Sequence, residues 1–266
     1  GMGKSSDVYK TFDAPRLVAS AQALISNGYR ALKVVFIPYT HYGVTPASIK
    51  HVAELMAALR EAVGDDVDLM VDFHGRCPSV SAALAYIEVL RPFHPLFVEE
   101  PLPPGDDEAF ASLAQQAGCA IAAGERLVSR REFEPLLRRR AVHVVQPDIC
   151  HCGGLLEAKK IAAAAETASA GVAPHNPLGP IAGAAALHFA ISTPNFLIQE
   201  EMVGADPLYR EVVSAPTKMV DGYWGVPTLP GLGVSVDEAV AKRHPYRAEP
   251  LATIDATMPD GTVVGW

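Results

Sequence analysis

The chain has 266 residues, 49% hydrophobic and 20% charged, with a formal net charge of −8. That length suits one large α/β barrel of roughly 250 residues or two small domains, and the apolar content argues against disorder. The acidic balance disfavours nucleic acid and anionic membrane as partners, because both need a basic face.

In chain order, short β-rich runs alternate with helix-like stretches. The predicted strands are Ala31–Ile37, Asp68–His74, Leu96–Glu100, Ala120–Glu125, Val142–Asp148, Gly171–Asn176 and Phe196–Glu201, with Asp7–Phe12 a candidate eighth. The predicted helices are Arg16–Asn27, Pro46–Val63, Val80–Leu90, Asp107–Gly118, Arg130–Arg139, Leu155–Ala170 and Ile181–Ser192. Strands alternating with helices imply parallel pairing through right-handed crossovers. Eight such units close into a TIM-type (β/α) barrel. The expectation is therefore one domain over residues 1–266, with barrel repeats over 14–215. Residues 1–13 form a short N-terminal segment, and 216–266 an irregular C-terminal one. Gly153-Gly154 permits a tight turn, and Gly222-Tyr-Trp-Gly-Val-Pro and Pro230-Gly-Leu-Gly read as turns. No Gly-rich phosphate loop follows a strand, which argues against a dinucleotide-binding fold.

Four cysteines, Cys77, Cys119, Cys150 and Cys152, and a polar start with no apolar run point to reduced thiols and a cytoplasmic location. Cys150-His151-Cys152 matches no standard zinc spacing. No stretch is long and apolar enough to suggest a membrane span.

The polar residues at the strand exits carry the functional signal. Asp72 with His74, then Glu99, Glu125, Asp148, His175 and Glu200 recur every 23 to 27 residues, one exit per strand. In a barrel those exits converge on one mouth, where active sites sit. Charge at the end of a buried strand is costly unless it is used or paired. Asp72, Glu99 and Glu125 come from three consecutive strands, and three carboxylates brought together repel without a cation. All-oxygen ligands favour Mg2+, with Mn2+ an alternative. The competing reading is a set of separate salt bridges to barrel lysines and arginines, with Arg76 and Arg126 among the candidates nearby.

Asp148 and His175 fall on neighbouring strands. A carboxylate that accepts from one imidazole nitrogen fixes the tautomer and makes the other nitrogen a better base. His175 is thus a candidate general base, against the bland alternative of a buried, satisfied histidine. On a strand, residues i and i+2 point the same way, so His74 is expected to face the mouth beside Asp72. The alternative for His74 is a hydrogen bond to a metal-bound carboxylate. Glu200 is a candidate contact for a substrate carboxylate, or else one half of an ordinary ion pair. Glu100 and Glu201 alternate away from the mouth.

The stretches Val71-Asp-Phe-His-Gly-Arg76, Val98-Glu-Glu-Pro101, Gly124-Glu-Arg126, Gln146-Pro-Asp148 with Gly153-Gly154, and Ala173-Pro-His175 carry a family resemblance. From about Ala14 to Gly233 the chain resembles the mandelate racemase branch of the enolase superfamily. Within it the likeness is to galactonate dehydratase-type acid-sugar dehydratases. The resemblance implies that Asp72, Glu99 and Glu125 bind magnesium and that His175, oriented by Asp148, removes the proton α to a carboxylate. It implies further that His74 protonates the departing β-hydroxyl and that Glu200 contacts the substrate carboxylate. The implied activity is a carbon–oxygen lyase that turns a sugar acid into a 2-keto-3-deoxy acid, and the implied assembly is a homo-oligomer. Superfamily sites of this kind use a Lys or His base with magnesium stabilising the enediolate.

Two departures stand out. Racemases and cycloisomerases of the superfamily carry Lys-x-Lys on the second strand, whereas this chain reads Lys33-Val34-Val35. Lys33 is left to bind substrate or to pack, and Tyr39 or Tyr42 in the following loop offers another contact. Relatives also carry an N-terminal α+β cap, while this sequence enters the barrel pattern almost at once. A barrel lacking most or all of the cap is the expectation. The competing functions are a catalytically silent metal-binding barrel and an epimerase or racemase of the same superfamily.

Overall fold

The computed structural model describes residues 13–202, 207–214, 218–246, 248, 258 and 260–263. The candidate strand Asp7–Phe12 lies outside them. The chain divides into two compact units. The first comprises residues 1–123, 138–143 and 252–266, and the second residues 124–137 and 144–251.

In the first unit, helix α1 (Ala14–Ser26) leads to strand β1 (Ala31–Val34). Helix α2 (Pro46–Val63), strand β2 (Asp68–Asp72), helix α3 (Val80–Leu90), strand β3 (Phe97–Glu99), helix α4 (Asp107–Gln116) and strand β4 (Ile121–Ala123) follow. The strands pair in parallel in chain order, β1 with β2, β2 with β3 and β3 with β4. Successive helices α1 to α4 pack against one another.

Helix starts follow local chemistry. The Thr45 hydroxyl accepts from the Ser48 N–H, with Pro46 behind it. The Ser79 hydroxyl accepts from Ala82 N–H, and the Asp106 carboxylate accepts from Ala109 N–H. Each such cap satisfies a donor that the helix cannot and is worth about 1 kcal/mol. Helix α2 buries Val52, Leu55, Met56 and Leu59, the spacing of one helical face. Full burial of each such side chain contributes about 1.5–3 kcal/mol.

The second unit holds helix α5 (Arg130–Arg138, whose last residue falls in the first unit), strand β5 (Val144–Val145), helix α6 (Leu155–Thr167), strand β6 (Gly171–Val172) and helix α7 (Pro180–Ile191). Helix α8 (Pro207–Val212), strands β7 (Met219–Val220) and β8 (Tyr223–Trp224) and helix α9 (Glu238–Arg243) complete it. Strands β5 and β6 pair in parallel, and Phe196 adds a single parallel bridge to Val172.

The strands are shorter than expected, and the seventh shrinks to that bridge. For β2, β3 and β4 the cause is backbone conformation at the exits. His74, Gly75, Glu100 and Gly124 all adopt positive φ, which turns the chain out of the ladder. The segment read as irregular beyond residue 215 contains an antiparallel hairpin, β7 with β8. Its turn is Asp221-Gly222, both at positive φ, the pairing that a two-residue hairpin turn requires.

Candidate active site

In the first unit, the β2–β3 register sets Asp72 opposite Glu99, each the last residue of its strand. Asp72 is 1% exposed and Glu99 0%. Two buried carboxylates abreast repel strongly unless positive charge stands between them. Lys33 supplies it from β1. Its Nζ lies 2.7 Å from Glu99 Oε2 and 3.6 Å from Asp72 Oδ2. Burial works against ionisation of Asp72. The Lys33 charge, with the His74 side chain and N–H, outweighs it and brings the Asp72 carboxyl down to about 2.

His74 departs from the expectation of a strand residue in step with Asp72. It sits at φ 49, off the strand, and wraps back onto that carboxylate. Its N–H donates to Asp72 Oδ1 at 2.9 Å, and its Nε2 lies 2.9 Å from Asp72 Oδ2. The i, i+2 argument fails here because the strand has already ended.

Arg76, 3% exposed, donates from Nη1 to the Ile37 carbonyl at 2.7 Å, and its guanidinium stacks over the Tyr39 ring at 4.8 Å. The Tyr39 hydroxyl is buried and has no hydrogen-bond partner among the described residues. Tyr42, by contrast, is 76% exposed. The loop that carries Tyr39 is tied down behind the site, where the buried Tyr86 hydroxyl lies 2.9 Å from Thr40 Oγ1 and 2.6 Å from Ser48 Oγ.

In the second unit, Glu125 follows Gly124, whose φ of +142 bends the chain just past β4. A Cβ at Gly124 would stand 2.6 Å from Phe133 Cε1 and 3.0 Å from the Gln146 nitrogen, so only glycine fits. Three residues beyond β5 comes Asp148. Its Oδ1 accepts from the N–H of Cys150 and of His151, and its Oδ2 meets His175 Nδ1 at 2.9 Å. Burial raises the Asp148 carboxyl, but the His175 hydrogen bond and charge and the two N–H donors outweigh it, leaving it below the usual range. The expected Asp148–His175 pair is thus formed. Since Oδ2 accepts, Nδ1 carries a hydrogen, which leaves Nε2 as the nitrogen turned away from Asp148. That Nε2 lies 3.5 Å from Glu125 Oε2. Glu200 Oε2 accepts from the Asn176 N–H at 2.6 Å, which brings it next to His175 in the chain. No sequence signal marks that contact, because its donor is backbone.

The ion pairs offered as an alternative to a metal are present in part, through Lys33. The oxygen-only donor set of Asp72 and Glu99 remains one that a hard divalent cation fits. Cys150 is exposed and Cys152 buried, both as free thiols. Among the described residues, no helix is long and apolar enough to cross a membrane.

Comparison with known proteins places this geometry in a family. Residues 16–240 match the family described as enolase C-terminal domain-like. The D-galactonate dehydratase of Ralstonia pickettii (strain 12J) is 36% identical over 256 residues, 94% of this chain and 67% of that protein. That of Xanthomonas euvesicatoria pv. vesicatoria (strain 85-10) is 43% identical over 194 residues, covering 71% and 50%. The D-gluconate dehydratase of Thermoproteus tenax is 36% identical over 233 residues, covering 86% and 46%. The chain therefore spans about half to two thirds of the length of these relatives. Among solved structures, the mandelate racemase/muconate lactonizing enzyme from Jannaschia sp. CCS1 matches with a TM-score of 0.82 at 32% identity, over 91% of this chain and 63% of that one. The enzyme of the same description from Sulfitobacter sp. matches at 0.83 and 37%, over 90% and 61%. The α/β fold, the ordered strand-end acids and these likenesses agree: the chain belongs to the enolase superfamily, in its mandelate racemase/muconate lactonizing enzyme branch, and carries that family's C-terminal-type domain.

Proposed function

We propose that this domain carries the catalytic site of a magnesium-dependent acid-sugar dehydratase, acting on an aldonate such as galactonate or gluconate. The observation that carries the reading is the state of His175. Asp148 holds its Nδ1 at 2.9 Å, and its Nε2 stands 3.5 Å from Glu125, one of the three proposed metal ligands. A base held beside a residue that would hold the cation would be placed to act on a substrate carboxylic acid bound there.

Asp72, Glu99 and Glu125 are the residues we assign to the cation. A divalent ion bound there supplies positive charge to the substrate carboxylate, favouring the enediolate over the ground state. His175 Nε2 takes the α-proton, and the C–H electron pair becomes the enediolate double bond. That pair then expels the β-hydroxyl, to which His74 gives a proton, so that water leaves. The enol product tautomerises to the 2-keto-3-deoxy acid, and the sum is aldonate to keto acid plus water. Glu200, anchored by the Asn176 N–H, is assigned to the substrate carboxylate. General acid–base work of this kind contributes typically about 10²–10⁴ in rate per group.

Epimerisation with Lys33 as second base is the weaker reading, because its ammonium is engaged by Glu99 and Asp72. The test is a panel of sugar acids with added magnesium, assayed for 2-keto acid and for exchange of the α-proton in D2O. Keto acid formation that vanishes in His175→Asn supports dehydration. Exchange with the β-hydroxyl retained points to epimerisation. Metal binding with neither product nor exchange points to a silent barrel.

A further inference from the structure

We propose that Lys33 is the internal counter-cation of the metal site: its ammonium holds Asp72 and Glu99 together when the site is empty and opposes an arriving divalent ion, so that it sets how tightly the ion is held. The inference rests on the assignment of Asp72 and Glu99 as metal ligands.

The β2–β3 register forces these two acids side by side, and both are almost fully buried. Buried like charges cost far more than exposed ones, because the low-dielectric interior screens them poorly. Lys33 reaches across from β1, where it is in register with Met70, and meets both acids at 2.7 and 3.6 Å. Its side chain is only 16% exposed, so water dilutes the interaction little. A cation that draws on the same oxygens either meets Lys33 as a like charge at close range or displaces it, at the cost of its ion pairs with Asp72 and Glu99. The sign of the effect is therefore set. Removing the charge strengthens metal binding and weakens the metal-free fold. A lysine that merely scaffolds the ligands has the opposite effect on affinity, because its loss lets the carboxylates drift apart.

The experiment uses the full chain, stripped with chelator, titrated with Mg2+ by calorimetry and with Mn2+ by electron paramagnetic resonance, alongside melting curves in chelator. Lys33→Met is expected to bind Mg2+ about tenfold tighter than the unmodified chain and to melt lower without metal. Lys33→Arg keeps the charge and is expected to stay within about threefold of the unmodified affinity. Unchanged or weaker Mg2+ binding by Lys33→Met overturns the proposal, as does a tenfold gain in Lys33→Arg. If the unmodified chain binds neither ion at millimolar concentration, the metal assignment fails, and Lys33 is then judged on metal-free melting. There Lys33→Met must melt lower, and Lys33→Met/Glu99→Gln, which removes the charge being offset, must recover. Lys33→Met that is soluble only with magnesium supports the proposal. If it is soluble under neither condition, the double variant must still fold, and its failure overturns the claim.

Discussion

Gly124 offers the sharpest test of how the backbone positions Glu125. At φ +142 a side chain already carries backbone strain of about 1–3 kcal/mol. The new methyl group also lands 2.6 Å from Phe133 Cε1, a distance that packed carbons do not reach, and 3.0 Å from the Gln146 nitrogen. Phe133 is 1% exposed and has little room to retreat, so overpacking adds about 1–3 kcal/mol. Gly124→Ala is expected to destabilise the chain by about 2–6 kcal/mol in urea unfolding. Gly154→Ala is the control: φ there is +88, but no heavy atom lies within 4 Å of the added Cβ. It carries the backbone strain alone, about 1–3 kcal/mol. Phe133→Leu in the Gly124→Ala background shortens the clashing ring, so the pair must be non-additive by about 1 kcal/mol in the relieving direction. Equal losses for the two glycines, together with an additive double variant, refute the steric argument.

Other outcomes follow from the same contacts. Asp148→Asn keeps an oxygen for the Cys150 and His151 N–H groups, so it should fold normally. It misorients His175, so it should lower kcat by about a hundredfold or more in the keto acid assay. In chelator, Asp72 stabilises the fold because its carboxyl titrates at about 2 when folded, against 3.8 in the unfolded chain. That contribution, on the order of 2 kcal/mol, is complete above pH 3.8 and drains away as pH falls toward 2. Acid unfolding of Asp72→Asn should lack that slope. Tyr86→Phe strands the buried Thr40 hydroxyl and should cost about 1–3 kcal/mol in thermal melts.

Much of this protein is legible from local chemistry. Helices α2 and α3 begin and end where the sequence reading places them, because Thr45-Pro46, Gly64 and Ser79 act on their own neighbours. The spacing of acids at strand exits needs only the repeat length. The Asp221-Gly222 hairpin was readable by the same standard, since a two-residue Asp-Gly turn is a local signal. His74 was not. Its place depends on where β2 stops, and that is decided by a left-handed turn whose N–H groups donate to carbonyls at the end of β3 and just past it, Phe73 N–H to Glu99 O and Gly75 N–H to Glu100 O.

The sequence by itself determines the alternating strands and helices, the family, and which side chains are able to do chemistry, because these rest on residue type and short-range spacing. Only the tertiary structure decides that Lys33 stands between Asp72 and Glu99, that His74 folds back on Asp72, and that Asn176 fixes Glu200. Those contacts join residues through strand register and backbone direction, and neither is written in the identity of the residues that meet.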